Sequence, residues 1–278
     1  MDKKKPLAGQ VALVTGSSSG IGAATARELA RRGVRLVLAA RRADLLNAEA
    51  QAIKQSGGEA IAIPTDVTDP AQIEALVARA IEAYGRIDVL VNNAGIGSLR
   101  SFAAMSDEDI ERMLDTNLRG VVLLTHAVLP GMLERRHGAI ITVASVAGHV
   151  AVDPIYSATK YAVRGFSLSL RRQLAGSGVS ISLVSPGFIR SNLTSRSRQR
   201  LPGPEIIANA IADLVTRPRR EVVRPRYYRP AIWAERALPW VGDRLLRPRR
   251  RHHAQHTGAA SRKEETTSVT PASEEGIE

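Results

Sequence analysis

The sequence predicts an α/β protein in which helices cover both faces of a doubly wound parallel sheet of about seven strands. Short runs rich in Val, Ile, Leu and Ala alternate with longer amphipathic segments from Gln10 to about Val184. The short runs show almost no polar alternation, which is typical of strands buried on both faces. Strand–helix–strand repetition then implies a parallel sheet with right-handed crossover connections.

The predicted elements follow one another in a regular order along the chain. Strands are expected at Val11–Thr15, Leu36–Ala39, Ala60–Pro64, Val89–Val91, Ala139–Val143, Val179–Val184 and Glu221–Arg224. Helices are expected at Ile21–Arg32, Asp44–Ser56, Pro70–Tyr84, Asp107–Arg136, Ser157–Ala175 and from Pro204 to Val215. Asp69 and Pro70 form a helix-start signal, and Gly33 and Gly57 are helix-stop signals.

One large domain with a C-terminal extension suits a chain of 278 residues. Residues 1–229 are expected to form the α/β domain, and residues 230–257 a basic extension rich in Arg, Pro and Trp. Residues 258–278 are polar and cannot bury apolar surface, so a disordered tail is expected there.

The composition excludes several classes of protein. The chain has no cysteine, which removes disulfides, thiolate metal sites and cysteine nucleophiles. No segment is long and apolar enough for a signal peptide or a membrane span. No cluster of side chains resembles a metalloenzyme site, so we expect no metal, and we expect a cytoplasmic protein.

The formal charge of +12 is concentrated near the C-terminus. Residues Arg217 to Arg251 contain twelve arginines against three acidic side chains, so the rest of the chain is only mildly basic. Nucleic-acid binding is therefore not expected. Two interpretations of the basic segment stay open: a cover for a cleft or subunit contact, or a peripheral contact with an anionic membrane through Trp233 and Trp240.

A glycine-rich turn follows the first predicted strand. Gly16, Gly20 and Gly22 lie between that strand and the next helix, where glycine permits positive φ and a close approach of the backbone to a pyrophosphate. The helix N-terminus then favours the anion. The sequence therefore predicts a dinucleotide-binding loop.

The end of the second strand distinguishes NAD from NADP. A carboxylate there would bind the ribose hydroxyls of NAD, but the strand ends in Ala40, followed by Arg41 and Arg42. Guanidinium groups at this place suit a 2′-phosphate. NADP(H) is therefore expected to be preferred over NAD(H), with Arg41 as the contact, while Arg42 also suits an ordinary solvated turn.

Several further motifs occur in a fixed order. They are Asn92-Asn93-Ala94-Gly95 after the fourth strand, Asn117, Ser145 after the fifth strand, Tyr156 with Lys160, and Pro186-Gly187 after the sixth strand. Together with Thr15 to Gly22, they resemble the short-chain dehydrogenase/reductase family over roughly Pro6 to Val223. The resemblance implies a Rossmann fold and hydride transfer between a nicotinamide and a carbonyl or alcohol.

The resemblance also assigns roles to residues. It implies a catalytic set of Asn117, Ser145, Tyr156 and Lys160, with Tyr156 as acid/base. Lys160 and a bound NADP⁺ are expected to lower the pKa of Tyr156, and Ser145 to donate a hydrogen bond to the substrate oxygen. The expected cofactor contacts are Gly16, Ser18, Gly20, Ile21, Gly22, Arg41, Asp66, Val67, Asn93, Ala94, Gly95, Tyr156, Lys160, Pro186, Gly187, Ile189 and Ser191.

The substrate is expected to be a hydrophobic ketone or secondary alcohol because the segments around the site carry many apolar residues. These are Ile96, Leu99, Phe102, Val150, Val152, Ile155, Phe188 and Leu193. A homodimer or homotetramer is expected through the helices at about Asp107–Arg136 and Ser157–Ala175. A non-catalytic dinucleotide-binding sensor and a membrane-associated scaffold of the same fold are the alternative functions.

Overall fold

Seven parallel strands form one sheet in the order β3–β2–β1–β4–β5–β6–β7, within the residues that the structure describes, 7–97, 101–190 and 201–246 of a computed structural model. The strands are β1 Val11–Thr15, β2 Arg35–Ala40, β3 Glu59–Pro64, β4 Val89–Asn92, β5 Gly138–Val143, β6 Val179–Pro186 and β7 Glu221–Arg224. The predicted doubly wound parallel sheet is confirmed, and each predicted strand lies within one of these.

The described part of the chain also contains helices that connect and cover the strands. They are α1 Gly20–Arg31, α2 Ala43–Gln55, α3 Pro70–Tyr84, α4 Asp107–Leu114, α5 Gly120–Glu134, α6 Pro154–Gln173, α7 Glu205–Thr216, α8 Arg229–Ala237 and α9 Pro239–Leu246. Helix α3 has the predicted bounds because Asp69 caps its first turn and Gly85 ends it in the left-handed conformation.

Side chains on β1 alternate between two hydrophobic layers. Ala12 and Val14 belong to the layer that contains residues of α1, α2 and α7. Val11 and Leu13 belong to the layer that contains residues of α3 and α5. Both faces of the strand are therefore buried, which explains why its sequence is continuously apolar.

The strand order changes direction at β1: β2 and β3 follow on one side of it, and β4 to β7 follow on the other. In doubly wound sheets the crevice beyond the carboxyl ends of the strands at such a reversal is the usual ligand site. The carboxyl ends of β1, β4 and β5 lead directly into Gly16, Asn93 and Ser145, so the topology brings these predicted site residues to one edge of the sheet.

Two predicted helices differ from the structure. The single helix expected over Asp107–Arg136 is interrupted by a π-helical turn at Asp115–Arg119, between α4 and α5. The helix expected from Ser157 begins three residues earlier, at Pro154, because Asp153 caps it. The first difference includes Asn117, and the second places Tyr156 in the first turn of α6.

The basic extension begins with two short helices, α8 and α9. Helix α8 ends at Ala237, and α9 begins at Pro239. Residues 247–278 lie outside the described residues and include the predicted tail, 258–278. No helix in the described ranges is long and apolar enough to cross a membrane. Within the same ranges, no group of three or more His, Asp or Glu side chains could hold a metal ion.

Candidate active site

The glycine loop forms one wall of a cleft of about 770 Å³ at the carboxyl edge of the sheet. Gly16 and Gly20 have positive φ of 64° and 56°, a conformation that side chains with a Cβ rarely adopt. Gly16, Ser18, Gly20 and Ile21, which were predicted to contact the cofactor, line the cleft. Gly22 is buried behind the loop and does not line the cleft; a Cβ there would clash with the Gly16 carbonyl, so this position requires glycine.

Thr15 and Asn93 hold the glycine loop against the end of β4. The Thr15 hydroxyl accepts hydrogen bonds from the backbone N–H groups of Asn93 and Ala94, both at 3.0 Å. The Asn93 side-chain amide donates to the carbonyls of Thr15 at 2.8 Å and of Gly16 at 3.3 Å. Asn93, Ala94 and Gly95 also line the cleft, so this motif both supports the loop and faces the space beside it.

Two arginines extend into the cleft after β2. Arg42 donates from Nη2 to the hydroxyls of Ser18 at 3.1 Å and Ser19 at 2.9 Å, which fixes its guanidinium beside the glycine loop. Arg41 lies with Nη1 3.9 Å from a carboxylate oxygen of Asp66. Sequence reasoning selected Arg41 and left Arg42 open, whereas the structure places Arg42 nearer to the glycine loop.

The π-helical turn positions Asn117, which is fully buried. Its Oδ1 accepts a hydrogen bond from the N–H of Ile96 at 2.8 Å, and its Nδ2 donates to the Ile96 carbonyl at 2.9 Å and to the Thr159 hydroxyl at 3.2 Å. A Cβ built on Gly95 would lie 3.3 Å from Asn117 Oδ1 and 3.5 Å from Lys160 Nζ. Asn117 and Lys160 therefore face the same small space, although Asn117 itself does not line the cleft.

Helix α6 places Tyr156 and Lys160 one turn apart on one face. The Lys160 ammonium is 5.5 Å from the centre of the Tyr156 ring and donates to the Val143 carbonyl at 3.3 Å. Burial lowers the pKa of Lys160 to about 8. A lysine with this pKa is still mostly protonated at pH 7.

Ser145 and Tyr156 both line the cleft, and the Ser145 hydroxyl accepts a hydrogen bond from the Ala147 N–H at 3.0 Å. Burial raises the pKa of Tyr156, the neighbouring Ser145 hydroxyl lowers it, and the charge of Asp153 raises it further, with a net rise. The expected lowering by Lys160 is not seen in this structure, where the groups that shift the pKa of Tyr156 are Ser145 and Asp153 beside the burial of the phenol. A raised pKa keeps the phenol protonated at neutral pH.

Asp153 is a site residue that sequence reasoning missed. Its carboxylate accepts a hydrogen bond from the Tyr156 N–H at 2.7 Å, which caps α6 and sets the position of Tyr156 in the first turn. Asp153 also lines the cleft. The signal was present in the sequence, since Asp153 precedes Pro154 just as Asp69 precedes Pro70 at the start of α3.

The cleft is closed on its remaining side by the segment after β6 and by Tyr228. Pro186, Gly187 and Ile189, which were predicted to contact the cofactor, line it, as do Asp66 and Val67. Tyr228 lines it as well, and its hydroxyl accepts a hydrogen bond from the Phe188 N–H at 3.2 Å. No motif marked Tyr228, which comes from the segment after β7. Ser191 lies outside the described residues.

Three of the predicted substrate contacts, Ile96, Val152 and Phe188, line the cleft. Val152 and Phe188 are more than half exposed at its rim. Phe102, Val150 and Ile155 do not line it, and Leu99 and Leu193 lie outside the described residues. Two apolar side chains, Val152 and Phe188, therefore lie at the rim of the cleft.

The chain matches the family model for short chain dehydrogenase over residues 10–202. It is 38% identical over 226 residues to the ketoacyl reductase HetN of Nostoc sp., covering 78% of this chain and 79% of that protein. A crystal structure of an actinorhodin polyketide ketoreductase variant with NADPH is similar, with a TM-score of 0.73 and 33% identity over 77% of this chain and 95% of that one. A 3-ketoacyl-(acyl-carrier-protein) reductase from Brucella melitensis complexed with NADH has a TM-score of 0.74 and 27% identity, over 78% of this chain and 97% of that one.

Proposed function

The chain belongs to the short-chain dehydrogenase/reductase family, and we propose that it is an NADP(H)-dependent oxidoreductase acting on a ketone or secondary alcohol. The observation that carries this proposal is the meeting of Ser145, Tyr156 and Lys160 in the cleft that the glycine loop lines. A protein that only bound a dinucleotide would need the loop but not this set. The sensor and scaffold alternatives therefore leave the set unexplained.

The donors in the cleft fit a phosphorylated dinucleotide. The glycine loop brings the N-terminus of α1 to the cleft, where backbone N–H groups and the helix dipole favour a diphosphate. Arg41 and Arg42 supply two cations at the end of β2, and no carboxylate occupies position 40. When bound, the nicotinamide supplies or accepts the hydride.

Arg41 and Arg42 are also the observation that supports a preference for NADPH over NADH. One similar solved structure contains NADPH and another NADH, so family membership does not decide the preference. The guanidinium of Arg42, held by Ser18 and Ser19, would form charge-assisted hydrogen bonds with a 2′-phosphate. Arg41 would contribute less because Asp66 already lies near it.

In the reduction direction, the residues of the cleft handle the proton and the carbonyl oxygen. Ser145 and Tyr156 would both donate hydrogen bonds to that oxygen, where negative charge develops as the carbon accepts the hydride. The Tyr156 phenol then transfers its proton to the oxygen, giving the alcohol and a phenolate. The phenol is protonated at neutral pH, but its raised pKa makes it a weaker acid, so the transfer depends on groups that stabilise the phenolate.

Lys160 and Asn117 would support the phenolate that remains. The Lys160 ammonium, 5.5 Å from the Tyr156 ring, stabilises a negative charge on the phenol. Asn117 is held by Ile96 and Thr159 and faces the same space as Lys160. A proton from solvent would return to Tyr156 through this space.

The apolar rim formed by Val152 and Phe188 supports a hydrophobic substrate. Because two similar proteins carry ketoacyl or 3-ketoacyl reductase names, a β-ketoacyl thioester is the first carbonyl compound to test. Aromatic and alicyclic ketones complete the panel.

The test is a screen of NADPH consumption by the full-length protein over this carbonyl panel, preceded by fluorescence titration with NADPH and NADH. Turnover of at least one carbonyl with tighter binding of NADPH is the expected result. Tight NADPH binding without turnover of any β-ketoacyl thioester or ketone would instead favour the sensor. Equal affinity for the two cofactors would contradict the role given to the arginines.

A further inference from the structure

A second cavity, of about 460 Å³, lies beside the edge strand β7 and helix α8. We call it the arginine pocket. It shares no lining residue with the cofactor cleft. Seven of its thirteen lining residues are arginines, and Glu221 is the single carboxylate among them. Neither the family motifs nor the proposed reaction assigns it a role.

The Glu221 carboxylate already forms hydrogen bonds with three neighbouring side chains. Its carboxylate accepts hydrogen bonds from His149 Nε2 at 2.5 Å, Ser185 Oγ at 2.7 Å and Arg164 Nε at 3.1 Å. Burial raises the pKa of Glu221, but the bonds from His149 and Ser185 and the charge of Arg164 lower it to about 2. One negative charge is thus matched with Arg164, and Arg236 donates to Nδ1 of His149 at 3.1 Å.

The other arginines of the pocket are Arg219, Arg220, Arg224, Arg226, Arg229 and Arg236. Among the described residues, none of the six forms an ion pair with a carboxylate. Burial lowers the pKa of Arg224, and the charges of Arg226, Arg219 and Arg229 lower it further against an opposing rise from Asp213, so like charges lie close together here. An anion in the pocket would relieve that repulsion.

The shape and chemistry of the pocket indicate the kind of anion. A guanidinium presents a planar fork of donors that matches phosphate oxygens in pairs. The volume lies in the range of about 300–1,000 Å³ that is usual for small-molecule sites. The Trp233 indole also lines the pocket and is 68% exposed, so an apolar or ring-bearing part of the ligand would find a flat surface beside the cations.

We propose that the arginine pocket is a second binding site, separate from the cofactor cleft, for a ligand that carries one or more phosphate groups. Two sources share this chemistry: a free phosphorylated small molecule and the headgroup of an anionic phospholipid. The lipid source would also use Trp233, because exposed indoles settle at the membrane interface. The proposal does not depend on the reaction proposed above.

The test measures binding of inorganic pyrophosphate to the full-length protein by calorimetry at low ionic strength, with the cofactor cleft first saturated with NADP⁺. The double variant Arg220→Gln/Arg226→Gln removes two exposed guanidiniums from the pocket without touching the Glu221 network. Arg79→Gln, an exposed arginine on α3, is the matched control. We expect the double variant to lose at least about tenfold in affinity, because two charge-assisted hydrogen bonds to the phosphate oxygens are removed, and the control to bind as wild type does.

A vesicle arm distinguishes the two sources. Sedimentation with phosphatidylglycerol vesicles, against phosphatidylcholine vesicles as reference, supports the lipid source if binding is lost in the double variant and displaced by pyrophosphate. Pyrophosphate binding that depends on the arginines, without vesicle binding, supports a free ligand. The proposal is overturned if wild type, double variant and control bind pyrophosphate and vesicles equally, or if wild type binds neither probe. Failure of NADP⁺ to bind would count against the proposed function and not against the pocket.

Discussion

Replacing Lys160 by methionine should stabilise the protein without cofactor at neutral pH. Burial lowers the pKa of Lys160 from 10.5 to about 8, so folding disfavours the ammonium form. At about 1.4 kcal/mol per pKa unit, this difference corresponds to roughly 3 kcal/mol of destabilisation wherever the lysine is protonated in both states. The variant loses the hydrogen bond to the Val143 carbonyl, worth about 1 kcal/mol, so a net gain of about 2 kcal/mol is expected at pH 7.

The sign of the pH dependence follows from the same two pKa values. Below pH 8 the lysine is protonated in the folded and the unfolded chain, so wild type carries the full cost. Between about pH 8 and 10.5 the unfolded chain binds more protons than the folded one, so wild type gains stability as pH rises. The advantage of Lys160→Met should therefore be largest at pH 7 and should shrink toward pH 10.

Urea unfolding of wild type and Lys160→Met at pH 7, 8, 9 and 10 measures this difference. Lys54→Met, a change at an exposed lysine of α2, is the control for loss of a positive charge and should show no such trend. A stability gap that stays constant from pH 7 to 10 would refute the reasoning. So would a variant less stable than wild type at pH 7.

Three further outcomes are expected. Arg42→Ala should weaken NADPH binding by about tenfold or more relative to NADH in fluorescence titration, and Arg41→Ala by less; equal losses for both cofactors would contradict the 2′-phosphate role. Asp153→Ala should lower the free energy of unfolding by about 1 kcal/mol, because α6 loses its cap; an unchanged urea midpoint would show that the cap is dispensable. Light scattering at micromolar concentration should show at least a dimer, and a monomer would be contrary to the expected association through the helices around Leu114, Leu133 and Tyr161, which stay exposed.

The sheet was predictable because its strands are buried on both faces. Continuous apolar runs such as Val11–Thr15 have few other interpretations when a glycine turn and an amphipathic segment follow. The subunit interface was harder to predict from the sequence. Val121, Leu124 and Leu168 on the helices expected to meet a partner are buried within the subunit, whereas Val122, Leu123, Phe166 and Leu170 on the same helices are only partly buried.

The π-helical turn at Asn117 could not be read from the sequence. Its local sequence is compatible with an ordinary helix, and the turn coincides with hydrogen bonds from Asn117 to Ile96 and Thr159, which are distant in the chain. The choice between Arg41 and Arg42 could not be made from the sequence for the same reason. Adjacent residues leave a turn in different directions, and only the fold shows which one meets Ser18 and Ser19.

Tyr228 illustrates a third limit. It lines the cleft because the chain turns back after β7, so that the Tyr228 ring contacts Gly187. This contact depends on tertiary packing, and no local motif predicts it. The capping role of Asp153, by contrast, could be predicted from the sequence. The dipeptide Asp153-Pro154 carries the same helix-start signal that placed α3 correctly, and applying it would have given the right start for α6.

The central claim is that Tyr156 transfers the proton in a reaction that uses NADPH. The most direct measurement compares wild type and Tyr156→Phe in both NADPH affinity and the turnover number with the carbonyl that wild type reduces fastest. Since only the hydroxyl is removed, NADPH affinity should stay within about twofold, while turnover should fall by about 10²–10⁴-fold. Turnover in Tyr156→Phe comparable to that of wild type, with cofactor binding intact, would contradict the claim.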